Sequence, residues 1–250
     1  MPQLKDLRFV CLDCEMTGLD AVKDRIIEIA ACKFTLQENL DSFTTLVKPD
    51  CEISPEAFAV HHISADMLIG KPPIEQLLPQ ILEFIGNHII VGHGIGHDIA
   101  LLINAAERAQ IPCKLRDHPS FDTLRLARLY GDSPNNSLEN LAIHFNVPSV
   151  GAHRALADVE MNIQIFKHLV RKFRSTEEIV AILAKPIKMK FMPLGKHKGR
   201  LFSEIPIQYL QWAANMDFDQ DLLFSIRSEL KRRRQGGGFS EGTNPFASLS

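Results

Sequence analysis

The 250-residue sequence predicts an α/β fold: a mixed sheet flanked by helices, followed by a small basic α+β module. Three observations predict it. β-branched runs come first and then alternate with helical periodicity, the pattern of a mixed sheet covered on both sides. Hydrophobic residues make up 45%, enough for a full core. The charge also reverses along the chain. Residues 1–184 hold 17 Lys/Arg against 24 Asp/Glu, whereas residues 185–234 hold 11 against 5, so the whole-chain value of −2 hides a basic appendage on an acidic domain.

Taken in order, strands are expected at residues 7–15, 25–35 and 40–48, with Gly18 to Asp24 forming the first turn. The run Arg25 to Ala31 is rich in β-branched residues, which favours strand over helix. Helices are expected over 74–86, 97–109, 123–130, 137–145 and 155–173, separated by short strands near 88–91 and 119–122. Residues 1–175 then form one domain and residues 186–234 a second. Residues 235–250, rich in Gly, Ser and Asn, read as a disordered tail. In the module, Met192 to Phe202 predicts two short strands around a Gly-Lys turn, followed by a helix through Trp212 in which Tyr209 and Trp212 read as core residues, with stacking of a base as the alternative.

Composition excludes some classes. No apolar run approaches the roughly 18–20 residues needed to span a bilayer, and Lys5, Asp6 and Arg8 do not make a signal peptide, so a cytoplasmic protein is expected. The five cysteines are an odd count, against a complete disulfide framework. Cys11-Leu12-Asp13-Cys14 spells C-x-x-C, but three residues apart on a strand the thiols face opposite ways, so both read as buried strand residues.

Carboxylates carry the chemistry. On a strand Asp13 and Glu15 project together while Cys14 turns away, and two carboxylates on one face repel unless a cation or proton sits between them. Asp98 follows the Gly-rich turn Val91 to Gly96 and opens a helix, where it could complement the helix dipole or hold metal. His153 and Asp158 are five residues apart, a turn of about 140° in an α-helix, so they converge only if His153 precedes the helix. Pro148 and Gly151 favour that, placing His153 on a loop.

The ordered set Asp13/Glu15, Asp98, His153 and Asp158 resembles the DEDDh family of 3′→5′ exonucleases over about residues 7–172. Asp13-Cys14-Glu15-Met16-Thr17-Gly18-Leu19 is similar to the family's first motif, with an oligoribonuclease flavour. Ile53 to Ala57, Val60 to Ser64, Phe121 to Leu124 and His153 to Asp158 look more like the polymerase-associated branch that includes the epsilon subunit of bacterial DNA polymerase III.

The resemblance implies a ribonuclease H-like sheet and two divalent ions. Hydrolysing a phosphodiester needs an activated water and stabilised charge on an anionic phosphate, which paired ions about 3.5–4 Å apart supply. Hard carboxylate oxygens suit Mg²⁺ or Mn²⁺. By resemblance Asp13 bridges both ions, Glu15 and Asp158 hold the water-activating ion, Asp98 acts through a water shell, and His153 is the general base. Met16, Thr17 and His93 would lie against the terminal nucleotide. Two positions depart from the family pattern. Gly94 replaces a frequent Asn, which removes a substrate contact, and His97 replaces an aromatic residue, leaving it either solvent-facing or an outer partner of Asp98.

The module is similar to small Gly-Lys-x-Lys-Gly units attached to bacterial exonucleases. Lys196, Lys198 and Arg200 could neutralise phosphates as a nucleic-acid grip; otherwise the module is a folded cap with solvated charges. Lys231 to Arg234 could touch phosphate or be a solvated helix end. Gln220 to Phe224 resembles sliding-clamp peptides, but a predicted helix makes Leu222, Leu223 and Phe224 core residues, so clamp binding is not expected. The leading function is a 3′→5′ exonuclease, first on DNA in proofreading or repair, with RNA ends or oligoribonucleotides as the alternative. A non-catalytic nucleic-acid-binding or polymerase-tethering protein is the reading from another class. The partners implied are nucleic-acid 3′ ends and either a homodimer or a DNA polymerase assembly.

Overall fold

Residues 3–130, 135–148 and 154–236 are described in the computed structural model. Strand β1 (Phe9–Met16) is central. It pairs antiparallel with β2 (Ile26–Phe34), which pairs antiparallel with β3 (Asn39–Leu46). On its other side β1 runs parallel to β4 (Ile89–Gly92), and β4 to β5 (Ser120–Asp122), giving the order β3-β2-β1-β4-β5. This is the expected mixed sheet.

Alternation along β1 and β2 builds a core on each face. Phe9, Cys11, Ala30, Cys32 and Phe34 pack against α4 (Thr123–Tyr130), α5 (Leu138–Phe145) and α6 (Ala155–Leu169). Val10, Leu12, Cys14, Ile29 and Ala31 pack against α2 (Ile74–Ile85) and α3 (Gly96–Ala109). Cys11 and Cys14 therefore fall in different cores, as their three-residue spacing requires.

Two helices lie outside the expected set. In α1 (Pro55–His61) the Ser54 hydroxyl accepts from the Ala57 N–H at 3.1 Å and Pro55 sits at the first helical position. Ser-Pro-Glu is itself a helix-start signal. The second is α7 (Thr176–Leu183), whose Ile179 is fully buried in the first core. Helix α7 thus packs on the first core although it follows residue 175. The helix expected over 155–173 is α-helical as far as Leu169 and continues as a short 3₁₀ turn to Lys172.

The C-terminal module has its own core of Met189, Met192, Phe202, Ile205, Leu210, Leu222 and Ile226. Its two expected strands reduce to a single antiparallel bridge between Phe191 and Leu201 around a 3₁₀ turn at Gly195–His197. The turn is too tight for a ladder: Gly195 and Gly199 both have positive φ, and a Cβ on Gly195 would lie 2.8 Å from the Tyr209 hydroxyl. Helices α8 (Ile207–Ala213) and α9 (Gln220–Gly236) supply the rest. Tyr209 is half-buried and Trp212 is 52% exposed, so Trp212 is not the core residue expected from sequence. In the clamp-like stretch Leu222 is core, Leu223 is half-buried and Phe224 is exposed, because α9 turns only one face inward. The expected tail beyond residue 236 lies outside the described residues.

The module is fastened to α4 by buried charge. Asp221, with no exposed surface, accepts from Arg125 Nε at 2.9 Å and Nη2 at 3.0 Å, from Arg128 Nη1 at 3.1 Å and from the Ile187 N–H at 2.9 Å. Arg128 also donates to both oxygens of Asp219, and Arg125 to the Leu183 and Lys185 carbonyls. Among the described residues no helix is long and apolar enough to cross a membrane.

Candidate active site

The face of β1 that begins with Phe9 and Cys11 ends with Asp13 and Glu15, so the carboxylates emerge where the apolar core stops. Helix α6 crosses this face and carries Asp158 in its first turn. Carboxylate oxygens of Asp13, Glu15 and Asp158 all lie within 4.8 Å of one another. Asp98 enters from the side, in the first turn of α3. Its Oδ1 accepts from the Cys14 N–H at 3.0 Å, beyond the last β1–β4 pair at Cys11 and Val91. Asp98 is buried and outside the three-carboxylate group, yet its charge acts on Asp13.

These groups are costly to ionise together. Burial raises Asp13 well above the usual carboxylate range, and Asp98, Glu15 and Asp158 push it further. Burial first and then Asp158 and Glu28 raise Glu15 to about 7, and burial raises Asp98 to about 7. An all-oxygen cluster of crowded carboxylates fits a hard divalent cation such as Mg²⁺ or Mn²⁺. The nearby thiol of Cys14 points into the opposite core, so the donor set is not that of a structural zinc site.

The remaining expected site residues divide. His153 lies outside the described residues. Met16 is half-buried at the end of β1, and its sulfur meets His97 Nε2 at 3.3 Å, so exposed His97 touches an expected substrate contact. Thr17 is fully buried, its hydroxyl donating to Asp24 at 3.0 Å and accepting from the Arg25 N–H at 3.0 Å. That side chain shapes the turn and is not offered to a ligand. His93 Nδ1 lies 3.1 Å from the Thr123 hydroxyl, which donates to Asn162 at 2.7 Å, one helical turn beyond Asp158. Burial lowers the His93 pKa and so disfavours the charged imidazolium. In the module Lys196 and Lys198 are exposed, whereas Arg200 is turned to His197 Nδ1 and the Glu204 carbonyl. Arg232 and Arg233 are both held by Glu229 at 2.7 Å, which removes them from the basic helix end.

Sequence reasoning missed Glu28. It is buried on β2 opposite Glu15, accepts from Arg154 Nη2 at 2.7 Å and from Arg154 Nε at 3.1–3.2 Å, and accepts the Ala155 N–H at 3.1 Å. It thereby fixes the start of α6, three residues before Asp158. A lone Glu inside an otherwise apolar strand was the available signal.

The exonuclease family model matches residues 10–166, and a second, described as a putative quorum-sensing-regulated virulence factor, matches residues 180–225. The chain is 37% identical over 164 residues to DNA polymerase III subunit epsilon of Aquifex aeolicus, a match covering 65% of this chain and 80% of that one. It is 32% identical to a PolC-type DNA polymerase III of Caldanaerobacter subterraneus, over 74% of this chain and 14% of the polymerase. Among solved structures, Exonuclease X in complex with 5′ overhanging duplex DNA superposes with a TM-score of 0.55 at 26% identity, covering 70% of this chain and 98% of that one. The E. coli ExoI–ssDNA complex superposes with a TM-score of 0.61 at 20% identity, over 71% of this chain and 43% of ExoI, a likeness of fold. The matched span contains β1, α3 and the first turns of α6, the three elements that bring the carboxylates together. By that match the chain belongs to the exonuclease family.

Proposed function

We propose that this chain is a 3′→5′ exonuclease that hydrolyses nucleic-acid 3′ ends, DNA before RNA, to nucleoside monophosphates in proofreading or repair. The observation that carries the reading is the convergence of Asp13, Glu15 and Asp158 within 4.8 Å beside buried Asp98. These four would hold two Mg²⁺ or Mn²⁺ ions, which when bound supply a nucleophile at neutral pH and charge stabilisation at the phosphate. Asp13 and Glu15, on a rigid strand, and Asp158, on a helix pinned by Glu28, provide a preorganised frame. His153, the residue the family resemblance makes the general base, would accept the proton of the attacking water on an imidazole nitrogen. Met16 and His93 flank the terminal nucleotide. The DNA preference rests on the relatives, an epsilon subunit and an exonuclease crystallised with duplex DNA.

The test is time-resolved degradation of 5′-labelled single-stranded DNA, 3′-mismatched duplex and matched RNA, in Mg²⁺, Mn²⁺ or EDTA, beside Asp13→Ala. A ladder shortening from the 3′ end in metal, absent in EDTA and in the variant, is expected. Binding without cleavage in either metal would leave a tethering protein.

A further inference from the structure

A cavity of about 320 Å³ lies between the catalytic domain and the C-terminal module. On one side it is walled by His93, Leu124 and Asn136, and on the other by Lys190, Phe191 and Lys198. His93 belongs at once to this wall and to the Thr123–Asn162 chain that leads to the helical turn beyond Asp158. His93 thus links the wall of the cleft to the helix that carries Asp158. The Asn136 side-chain oxygen is buried beside it with no hydrogen-bond partner among the described residues.

The module side is built for a polyanion with flat apolar groups. Lys190, Lys196 and Lys198 are exposed, and none forms an ion pair among the described residues, unlike Arg232 and Arg233. Gly195 and Gly199, both at positive φ, close the tight turn that presents Lys196 and Lys198. Lys196 Nζ sits 5.3 Å from the Tyr209 ring, and Tyr209 lies 5.3 Å from Trp212, which is more than half exposed. Cations followed by an exposed aromatic face are how single strands are held, with phosphates on the cations and a base on the ring. The Arg125/Arg128–Asp221 network ties this arm to α4.

We propose that the cleft and the adjoining Lys196–Tyr209–Trp212 surface form a second subsite for the same polynucleotide, holding nucleotides on the 5′ side of the scissile bond. Lys190 and Lys198 take phosphates in the cleft, and Trp212 stacks a base further along. The subsite rests on the reading of the carboxylate cluster as a 3′→5′ exonuclease centre. Its ligand is single-stranded, because stacking on Trp212 needs an unpaired base.

Trp212 is the one tryptophan of the chain, so intrinsic fluorescence reports directly on it. The full-length protein in EDTA is titrated with oligo-dT and oligo-U strands of about twelve nucleotides, a dinucleotide, and polyglutamate. Both long strands are expected to quench the emission to saturation, the dinucleotide to quench far less. In the Lys190→Ala/Lys198→Ala protein half-saturation should rise about tenfold or more at low salt, with a shallower salt dependence. Trp212→Ala should raise KM for the long strand roughly fivefold or more, the effect shrinking as the strand shortens. Strand binding seen by anisotropy without quenching would overturn the proposal, as would unaltered affinity in the double variant, or quenching by polyglutamate alone. Metal-dependent cleavage without quenching sinks the subsite and leaves the exonuclease, whereas quenching without cleavage in either metal sinks the exonuclease reading and leaves a strand-binding surface.

Discussion

Asp221→Ala should cost about 3–5 kcal/mol, because removing one member of a buried ion network strands the others without compensation. Asp221 has no exposed surface, and its partners Arg125 and Arg128 are 16% and 8% exposed. Arg128 keeps Asp219, with contacts at 2.9 and 3.1 Å, and Arg125 keeps the Leu183 and Lys185 carbonyls, so the loss belongs at the low end, about 3 kcal/mol. The Ile187 N–H also loses its acceptor. For a chain of this size that corresponds to a fall in Tm of roughly 6–12 °C. Urea and thermal melts of the single variant, Arg125→Ala and the double variant would show it. Because the Arg125 charge is what becomes uncompensated, the two substitutions should be non-additive by about 1 kcal/mol or more. A loss below about 1 kcal/mol, or strict additivity, would refute the argument that this network fastens the module. Deleting the module would also strip Arg125 and Arg128 of Asp219 and Asp221, so substitutions test its role more cleanly than truncation.

Other consequences can be measured alongside. Adding Mn²⁺ or Mg²⁺ at about a hundred times its Kd to metal-free protein should stabilise it by about 2.7 kcal/mol, a rise in Tm that disappears in Asp13→Ala; superimposable melts would argue against a metal site. Glu28→Gln weakens the pair with Arg154 and the hold on the Ala155 N–H, and kcat should fall about tenfold or more with a smaller change in KM. Unchanged kcat would show that the start of α6 is placed without it. Arg232 and Arg233 hold Glu229 down at about 2, so the folded state binds its proton less tightly than the unfolded chain. That stability is fully present above the ordinary carboxyl value of 4.5 and is lost as pH falls from there toward 2. Acid unfolding followed by Trp212 fluorescence should lose this component in Glu229→Gln.

Local pattern carried much of the architecture. The β-branched run Arg25 to Ala31, the alternation Phe9 to Glu15 and the Gly-rich break before Asp98 place strands and a helix start that need no knowledge of distant contacts, because backbone periodicity alone sets which side chains share a face. The pairing of Asp13 with Glu15 followed from the same periodicity, and the order of the remaining acids pointed to metal chemistry through the family resemblance. What stayed hidden depended on partners far apart in sequence. Glu28 gains its meaning only from Arg154, 126 residues away, and Asp221 from Arg125, 96 residues away. Trp212 reads as core until α8 turns it outward, and Thr17 reads as available until Asp24 claims its hydroxyl. By itself, the sequence determined the sheet and most helices of the first domain, the order of the carboxylates along them and the basic character of the module. Only tertiary structure decided that Asp13, Glu15 and Asp158 meet, and that the module stands across a cleft from His93, since convergence depends on how helices cross a sheet and on buried charges that exist as pairs only once the chain has folded.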